Sequence, residues 1–297
     1  MADSLKAHEQ VQPDQWEIIE GHYFKCHILI SPYNRRITVY NFSLALDEGA
    51  SAMVQTLSEK AAAQGFDKVW LKTGLKWAHS FLGAGVKLEA AIPGYFAGEK
   101  PALLFSGFLS EQRKIPSNSK NLDQIKKLVL ARKDGGGQRP LPAGITLRWG
   151  QTGHCGALAN LYSRVFATYP FPIFDSGYLK RTMRHNVCYI TAWHGRELVA
   201  AAAAEMNPAE KNAEVTDFAT APGWRGHGLA GCLLNQLESR LLSDGIRCLY
   251  TIARSSSTGM NRVFANAGYE YCGVLIKNCN ISGSFEDMNV WAKIIDG

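Results

Sequence analysis

The sequence predicts an α/β protein built on mixed sheet, arranged as two successive halves, and three observations predict it. Strand-like stretches alternate with helix-like ones in which apolar residues recur every three or four positions. One strand, AEVTDFAT from Ala213, leads through Pro222-Gly223 and the turn Arg225-Gly226-His227-Gly228 directly into a helix. The order helix, strand, helix, strand, strand also occurs twice along the chain, which reads as an internal repeat.

The first twenty residues are polar and are expected to be irregular. Apolar stretches over 22–39, broken at Ser31-Pro32-Tyr33-Asn34, predict two strands around a turn. His22, Cys26 and His27 fall in this stretch, but they would need a further ligand to hold a metal, and none is expected. A helix follows over 47–64, with Ala50, Met53, Val54, Leu57 and Ala61 on one face and Gly65 as its stop. Residues 68–72 predict a strand, 75–84 a helix, and 86–95 and 102–109 two more strands. Together residues 1–110 form the first, truncated domain.

Residues 111–139 hold eight basic side chains (Arg113, Lys114, Lys120, Lys126, Lys127, Arg132, Lys133, Arg139) against Glu111, Asp123 and Asp134, most of the chain's net charge of +6. Pro116-Ser117-Asn118-Ser119 and Gly135-Gly136-Gly137 break this stretch, so 111–144 reads as a basic linker. Leu122, Ile125, Leu128 and Val129 give it one short amphipathic helix. No aromatics interleave with the charges to stack bases, so a nucleic-acid partner is not expected.

From residue 145 the predicted order is β-α-α-β-β-β-α-β-α-β-β. The strands are 145–149, 187–193, 198–206, the one from Ala213, 246–252, 269–276 and 284–295. The helices are 155–166, 176–184, 229–243 and 258–267; Leu229, Leu233, Leu237 and Leu241 mark the face of the third, and Met260, Val263, Phe264 and Ala267 that of the fourth. Phe81 and Gly85 match Phe264 and Gly268 at the same spacing, and Gly98 falls near the place of Gly283. The first half has no equivalent of the Arg225 loop. It is therefore expected to shape the substrate site, support the fold or form a dimer, with one active site per chain.

Composition sets outer limits. With 46% hydrophobic residues the chain can bury a large core, and its longest apolar run, 198–204, is too short to cross a bilayer. No basic-then-apolar leader is visible, so no membrane partner and a cytoplasmic location are expected. The seven cysteines are scattered and never paired as C-x-x-C, which suits reduced thiols.

Function enters through the turn. Gly226 and Gly228 let a ligand approach the backbone, and the free amides of the helix start, with the positive end of its dipole behind them, suit a pyrophosphate. The Rossmann third glycine and its downstream acid are missing, as is a P-loop Gly-Lys-Ser/Thr. The pattern Arg225-x-x-Gly228-x-Ala230 after Thr220-x-Pro222-x-Trp224 instead resembles the acetyl-CoA loop of the GNAT N-acetyltransferases. Further strings are similar to the beta-lysine N6-acetyltransferase family: AEVTDFAT, YTIARSSSTGMN from Tyr250, residues 264–269, MNVWAKI from Met288, YNRRITVY from Tyr33, and Pro93-Gly94-Tyr95-Phe96 followed by Gly98.

The resemblance implies a complete GNAT fold over 145–297, splayed where the cofactor enters. It also implies transfer of acetyl from acetyl-CoA to the terminal amine of (S)-beta-lysine, giving a compatible solute. Arg225, Gly226, His227, Gly228, Leu229 and Ala230 would then hold the pyrophosphate. The backbone of Phe218 and Thr220 would hold the pantetheine arm, and Ser257 or Asn261 would stand in for an asparagine that often contacts it. A lysine-like amine of pKa about 10.4 is free in roughly one molecule in 2,500 at pH 7, so deprotonation costs about 4.6 kcal/mol and calls for a carboxylate. Glu214 is the first candidate base and Asp217 the second; an offset of three sends them to opposite faces of a strand unless a bulge intervenes. Arg254 is the candidate partner for the acceptor's carboxylate. The tyrosine that often protonates the leaving thiolate in the family is here Phe264. Two rival readings remain: acetylation of another amine (a polyamine, an aminoglycoside or a protein lysine), and a silent CoA-binding regulatory module.

Overall fold

The computed structural model describes residues 13–131, 140–281 and 283–295. The Gly135-Gly136-Gly137 run and the charges of Arg132, Lys133, Asp134 and Arg139 lie outside them. The chain divides into two compact units, 1–88 with 104–115, and 89–103 with 116–297.

In the first unit, β1 (Gln15–Gly21), β2 (Phe24–Ser31) and β3 (Arg36–Leu44) form an antiparallel meander, and β4 (Lys68–Gly74) joins β3 in parallel. β1 corrects the expectation of an irregular start. Its seven residues mix polar ones with Trp16, Ile18 and Ile19, and every one is registered against β2, from Gln15 opposite Ile30 to Gly21 opposite Phe24. Cross-strand pairing overrides a weak local preference here. Helix α1 (Glu48–Ala63) buries Ala50, Met53, Val54, Leu57 and Ala61, the five residues that its periodicity selects. The helix expected over 75–84 divides into a 3-10 turn, Leu75–Trp77, and α2 (Ala78–Gly83). Arg113, on the one-turn helix α3 (Glu111–Lys114), is 2% exposed and is held by Asp67 Oδ1 at 2.7 Å and the Asn34 carbonyl at 2.9 Å. A buried guanidinium needs such partners.

β5 (Lys87–Phe96) and β6 (Lys100–Phe108) form a hairpin whose tip, within residues 89–103, belongs to the second unit. Ala97 N–H donates to the Glu210 carbonyl and the Asn212 side chain donates to the Tyr95 carbonyl, each bond 2.8–2.9 Å long. β5 also meets β12 where Gly273 faces Ala90. A Cβ on Gly273 would lie 2.7 Å from the Ala90 Cα, so only glycine permits the approach.

The sheet of the second unit runs β5-β12-β13-β11-β10-β9-β8-β7. Its strands are β7 (Ile145–Trp149), β8 (Val187–His194), β9 (Glu197–Asn207), β10 (Asn212–Thr220), β11 (Cys248–Arg254), β12 (Glu270–Ile281) and β13 (Ser284–Ile294). β10 and β11 pair in parallel, whereas β7/β8, β8/β9, β9/β10, β11/β13 and β12/β13 are antiparallel, so the sheet is mixed as expected. Helices α5 (Cys155–Val165) and α6 (Ser176–His185) cover one face, and α7 (Leu229–Ser243) and α8 (Thr258–Asn266) the other. β9 carries five consecutive alanines, Ala200 to Ala204, all fully buried. Ala200, Ala202 and Ala204 face α7, while Ala201 and Ala203 face α5 and α6. Such small side chains let helices lie close on both faces.

The stretch expected to be a linker carries its short helix, α4 (Asn121–Leu130), and this helix is docked on the second unit. Asn121 and Asn289 exchange two hydrogen bonds, of 2.6 and 3.0 Å, and Ile125 enters the core under α7. All seven cysteines are free thiols, and no helix among the described residues is long and apolar enough to cross a membrane.

Candidate active site

β10 and β11 pair only from Asn212 opposite Cys248 to Glu214 opposite Tyr250. Beyond that point each strand keeps its other neighbour: β10 stays on β9 as far as Thr220 opposite Ala200, and β11 stays on β13 as far as Arg254 opposite Met288. The sheet therefore opens between them, and the amides of Phe218 and Thr220 lie along that opening. Past Thr220 the chain makes a 3-10 turn, Pro222–Trp224, and reaches α7.

Gly228 caps α7 in the left-handed conformation, with φ of 80°, and no side chain caps the helix. Its first amides are thus left for an external acceptor. Arg225, Gly226 and His227 are exposed, and a Cβ on Gly226 would meet nothing within 4 Å, so the loop has open space beside it. The Arg225 Nε–H donates to the Thr220 carbonyl at 3.3 Å, which ties the loop to the strand end. Leu229 is buried and anchors the helix start in the core, and Ala230 is half-buried beside it. A helix start with uncapped amides, an open glycine turn and a split sheet fits the pyrophosphate and pantetheine of acetyl-CoA.

On the α5/α6 face, β10 carries the acids. A bulge between Thr216 and Ala219, with Asp217 at φ 54°, breaks the alternation of the strand. Asp217 and Glu214 consequently act on one cluster: burial above all, and then the charge of each, raises the phenol of Tyr169. The Tyr169 hydroxyl donates to Asp217 Oδ1 at 2.6 Å, and Thr216 Oγ1 donates to the same atom at 3.3 Å. Burial pushes the Asp217 carboxyl above its ordinary value, against the lowering effect of these two bonds. Glu214 is half-buried and stands beside Tyr250, whose phenol is raised by burial, by the Glu214 charge and by its hydrogen bond with Tyr95. The Tyr95 and Tyr250 rings are 5.4 Å apart, so the hairpin tip of the first half supplies part of this wall.

Tyr162 on α5, Tyr169 in the α5–α6 loop and Tyr189 on β8 complete the cluster and were not selected from the sequence. Phenols on three separate elements carry no shared spacing. The aromatic loop Tyr169-Pro170-Phe171-Pro172 is the only local signal, a conspicuous stretch to find between two helices.

Three other candidates fare differently. Asn261 is engaged within the fold: its amide donates to the carbonyls of Arg254 and Ser257, and its oxygen accepts from Asn289 and Trp291, at 2.8–2.9 Å. All four positions are used inside the protein, so none remains for pantetheine. Ser257 begins α8 without using its hydroxyl as a cap and stays half-buried. Arg254 already pairs with Glu286 at 2.6 Å, and Glu286 also accepts from Ser256 at 2.8 Å. Phe264 is buried edge-on against Phe218, ring centroids 5.6 Å apart, with no proton to give. Among the described residues, no group of three or more His, Cys, Asp or Glu is placed to hold a metal.

Comparison with known proteins agrees with this geometry. Residues 156–269 match the Acetyltransferase (GNAT) family, a span that contains the split strands, the loop and both carboxylates. The chain is 32% identical to the N-acetyltransferase YodP of Bacillus subtilis over 267 residues, 88% of this chain and 93% of that one. It is 34% identical to the beta-lysine N(6)-acetyltransferase of Methanococcus maripaludis over 270 residues, 90% of this chain and 95% of the other. With that of Methanosarcina mazei it shares 34% identity over 231 residues, 71% and 85% of the two chains. The solved ribosomal-protein-S18-alanine N-acetyltransferase of Escherichia coli aligns with a TM-score of 0.46 at 16% identity, over 52% of this chain and 95% of that one. These matches extend beyond the GNAT core into the first half, and the chain belongs to the GNAT acetyltransferases, as an acetyl-CoA-dependent N-acetyltransferase of the beta-lysine N6-acetyltransferase family.

Proposed function

We propose that the enzyme acetylates the N6 amine of (S)-beta-lysine, giving N6-acetyl-beta-lysine, a zwitterion suited to be a compatible solute. The observation that carries this reading is the cluster of carboxylates and phenols on β10, next to the opening between β10 and β11 and joined to near-full-length similarity to beta-lysine acetyltransferases. Glu214 takes the proton from the terminal ammonium, directly or through water. The freed amine then attacks the thioester carbonyl carbon, the carbon–sulfur bond breaks to release CoA thiolate, and the acylated nitrogen gives its second proton to water to leave the neutral amide. The backbone amides of Phe218 and Thr220 hold the oxygen on which charge develops, an arrangement worth a few kcal/mol. The amides of the Arg225–Ala230 loop hold the pyrophosphate, with Ser257 near the pantetheine. Phe264 offers the thiolate no proton, and a thiol with an ordinary pKa near 8.5 is a tolerable leaving group without one.

A polyamine acceptor is the second reading, and the engagement of Arg254 by Glu286 favours it, since that clamp is taken from a substrate carboxylate. Mass analysis of products from beta-lysine, alpha-lysine and spermidine separates the two: beta-lysine acetylation is expected, and its absence would overturn the first. Glu214→Gln should lower kcat by roughly two to four decades with the KM for acetyl-CoA held.

We further propose that the first half is a truncated copy of this domain without a catalytic site of its own, over 1–110, with 145–297 as catalytic domain. In support, β2/β3 and β9/β10 are both antiparallel with a register shift, and β3/β4 and β10/β11 are both parallel pairs. Phe42 meets Phe81 edge-on at 5.3 Å, as Phe218 meets Phe264.

A further inference from the structure

Glu205 stands directly across from Glu214. The antiparallel register of β9 and β10 makes them Cα partners, so their side chains leave the same face with Cβ atoms about 5 Å apart. Tyr250 continues the row on β11. The Glu205 charge acts along it, raising the Tyr250 phenol together with Glu214 and raising the Asp217 carboxyl as well. Like charges placed opposite each other on a sheet destabilise it, and one base is enough for one amine. A separate feature of the same pocket points to a ligand. The Tyr162 hydroxyl is fully buried, has no hydrogen-bond partner among the described residues, and lies in the field of Asp217, Tyr169 and Tyr189. A buried hydroxyl of this kind is completed by a bound polar group or a water.

We infer that Glu205 holds a second ammonium group of the acceptor while the first is acetylated, which makes the site selective for diamines over monoamines. This rests on reading the β10 face as the amine pocket, and it does not require the acceptor to be beta-lysine. Glu205 is exposed at the mouth while Glu214 is half-buried within. A dication entering amine-first therefore meets the base with its leading end and Glu205 with its trailing one. In beta-lysine four carbons separate the two nitrogens, as in 1,4-diaminobutane, whereas alpha-lysine has five. Glu205 takes no part in bond making and acts only on which amine is held.

The test is steady-state kinetics of the full-length enzyme, Glu205→Gln and Glu205→Asp, with acetyl-CoA and four acceptors: beta-lysine, 6-aminohexanoate, 1,4-diaminobutane and 1-aminobutane. 6-Aminohexanoate is beta-lysine without its second amine. Glu205→Gln should raise KM for the two diamines roughly 10- to 100-fold, the range for losing a hydrogen bond to a charged group. Its kcat and its KM for the two monoamines should stay near wild type, and Glu205→Asp should recover part of the preference. An equal loss on all four amines, no change on any, or a wild-type enzyme that prefers neither diamine would overturn the inference. Turnover of 1,4-diaminobutane but not beta-lysine, with the Glu205 dependence intact, would remove the beta-lysine reading and leave this one standing. Beta-lysine turnover indifferent to Glu205 would do the reverse.

Discussion

At the scale of the residue, Asp217 combines a left-handed backbone with φ of 54°, a 2.6 Å hydrogen bond from Tyr169, and a carboxyl that burial holds above its ordinary value of 3.8. A raised acid keeps its proton in the folded state over a range of pH where the unfolded chain has lost it. Stability therefore falls as pH rises from 3.8 through the folded value and stays lower above it. Asp217→Asn removes that term and keeps an acceptor for Tyr169. The variant should melt at a higher temperature than wild type at pH 7, with the pH-dependent part of its advantage gone below pH 3.8. Thermal unfolding measured from pH 3 to 8 decides it, and a gap that did not change with pH would refute the assignment. How far single residues could be read from sequence follows the same physics. The face that Glu214 occupies was legible because it lies in the regular part of an alternating strand. The face of Asp217 was not, since one bulge reverses it. The setting of Asn261 was not legible either, because residue type shows four hydrogen-bonding positions but not that the fold fills all four.

Among the elements, α7 is the one whose sequence said most: its leucine spacing predicts 229–243, which is the helix observed. Its proposed pyrophosphate role rests on the left-handed conformation of Gly228, where an L side chain costs about 1 kcal/mol or more. Gly228→Ala should tilt the first amides off their ligand, raising KM for acetyl-CoA several-fold while KM for the amine changes little. Competitive binding of CoA measured by calorimetry checks this, and unchanged CoA affinity would count against the loop as the pyrophosphate site. Elements were less legible where their stability comes from elsewhere. β1 exists through its register with β2, and the shape of α4 was visible whereas its anchor, the Asn121–Asn289 pair, joins residues 168 positions apart.

For the whole molecule, the order of elements could be read except for β1 and the one-turn α3, while the compact units are cut differently from the composition. A cut at residue 144 looks natural from composition, yet the second unit takes in 89–103 and the helix α4. A fragment 145–297 would leave β12 without β5 beside it, Asn289 without Asn121, and Tyr250 without Tyr95. Each is an exposed strand edge or an orphaned polar group, costing about 1–3 kcal/mol for every buried amide left unpaired. The fragment is expected to aggregate or to lack a cooperative melt by near-ultraviolet circular dichroism. A monomeric, active 145–297 would show that the first half is dispensable.

The alanines of β9 bear on how this family could change over time. With α7 against one side and α5 and α6 against the other, Ala200 to Ala204 are fully enclosed, so each added methylene must displace a helix. Drift is free to rework the amine pocket, where polar side chains can trade roles, but this strand has almost no neutral neighbours in sequence space. Its invariance among relatives would record crowding alone. If Glu205, at the end of this same strand, selects the amine as inferred, it should vary among relatives when the substrate does.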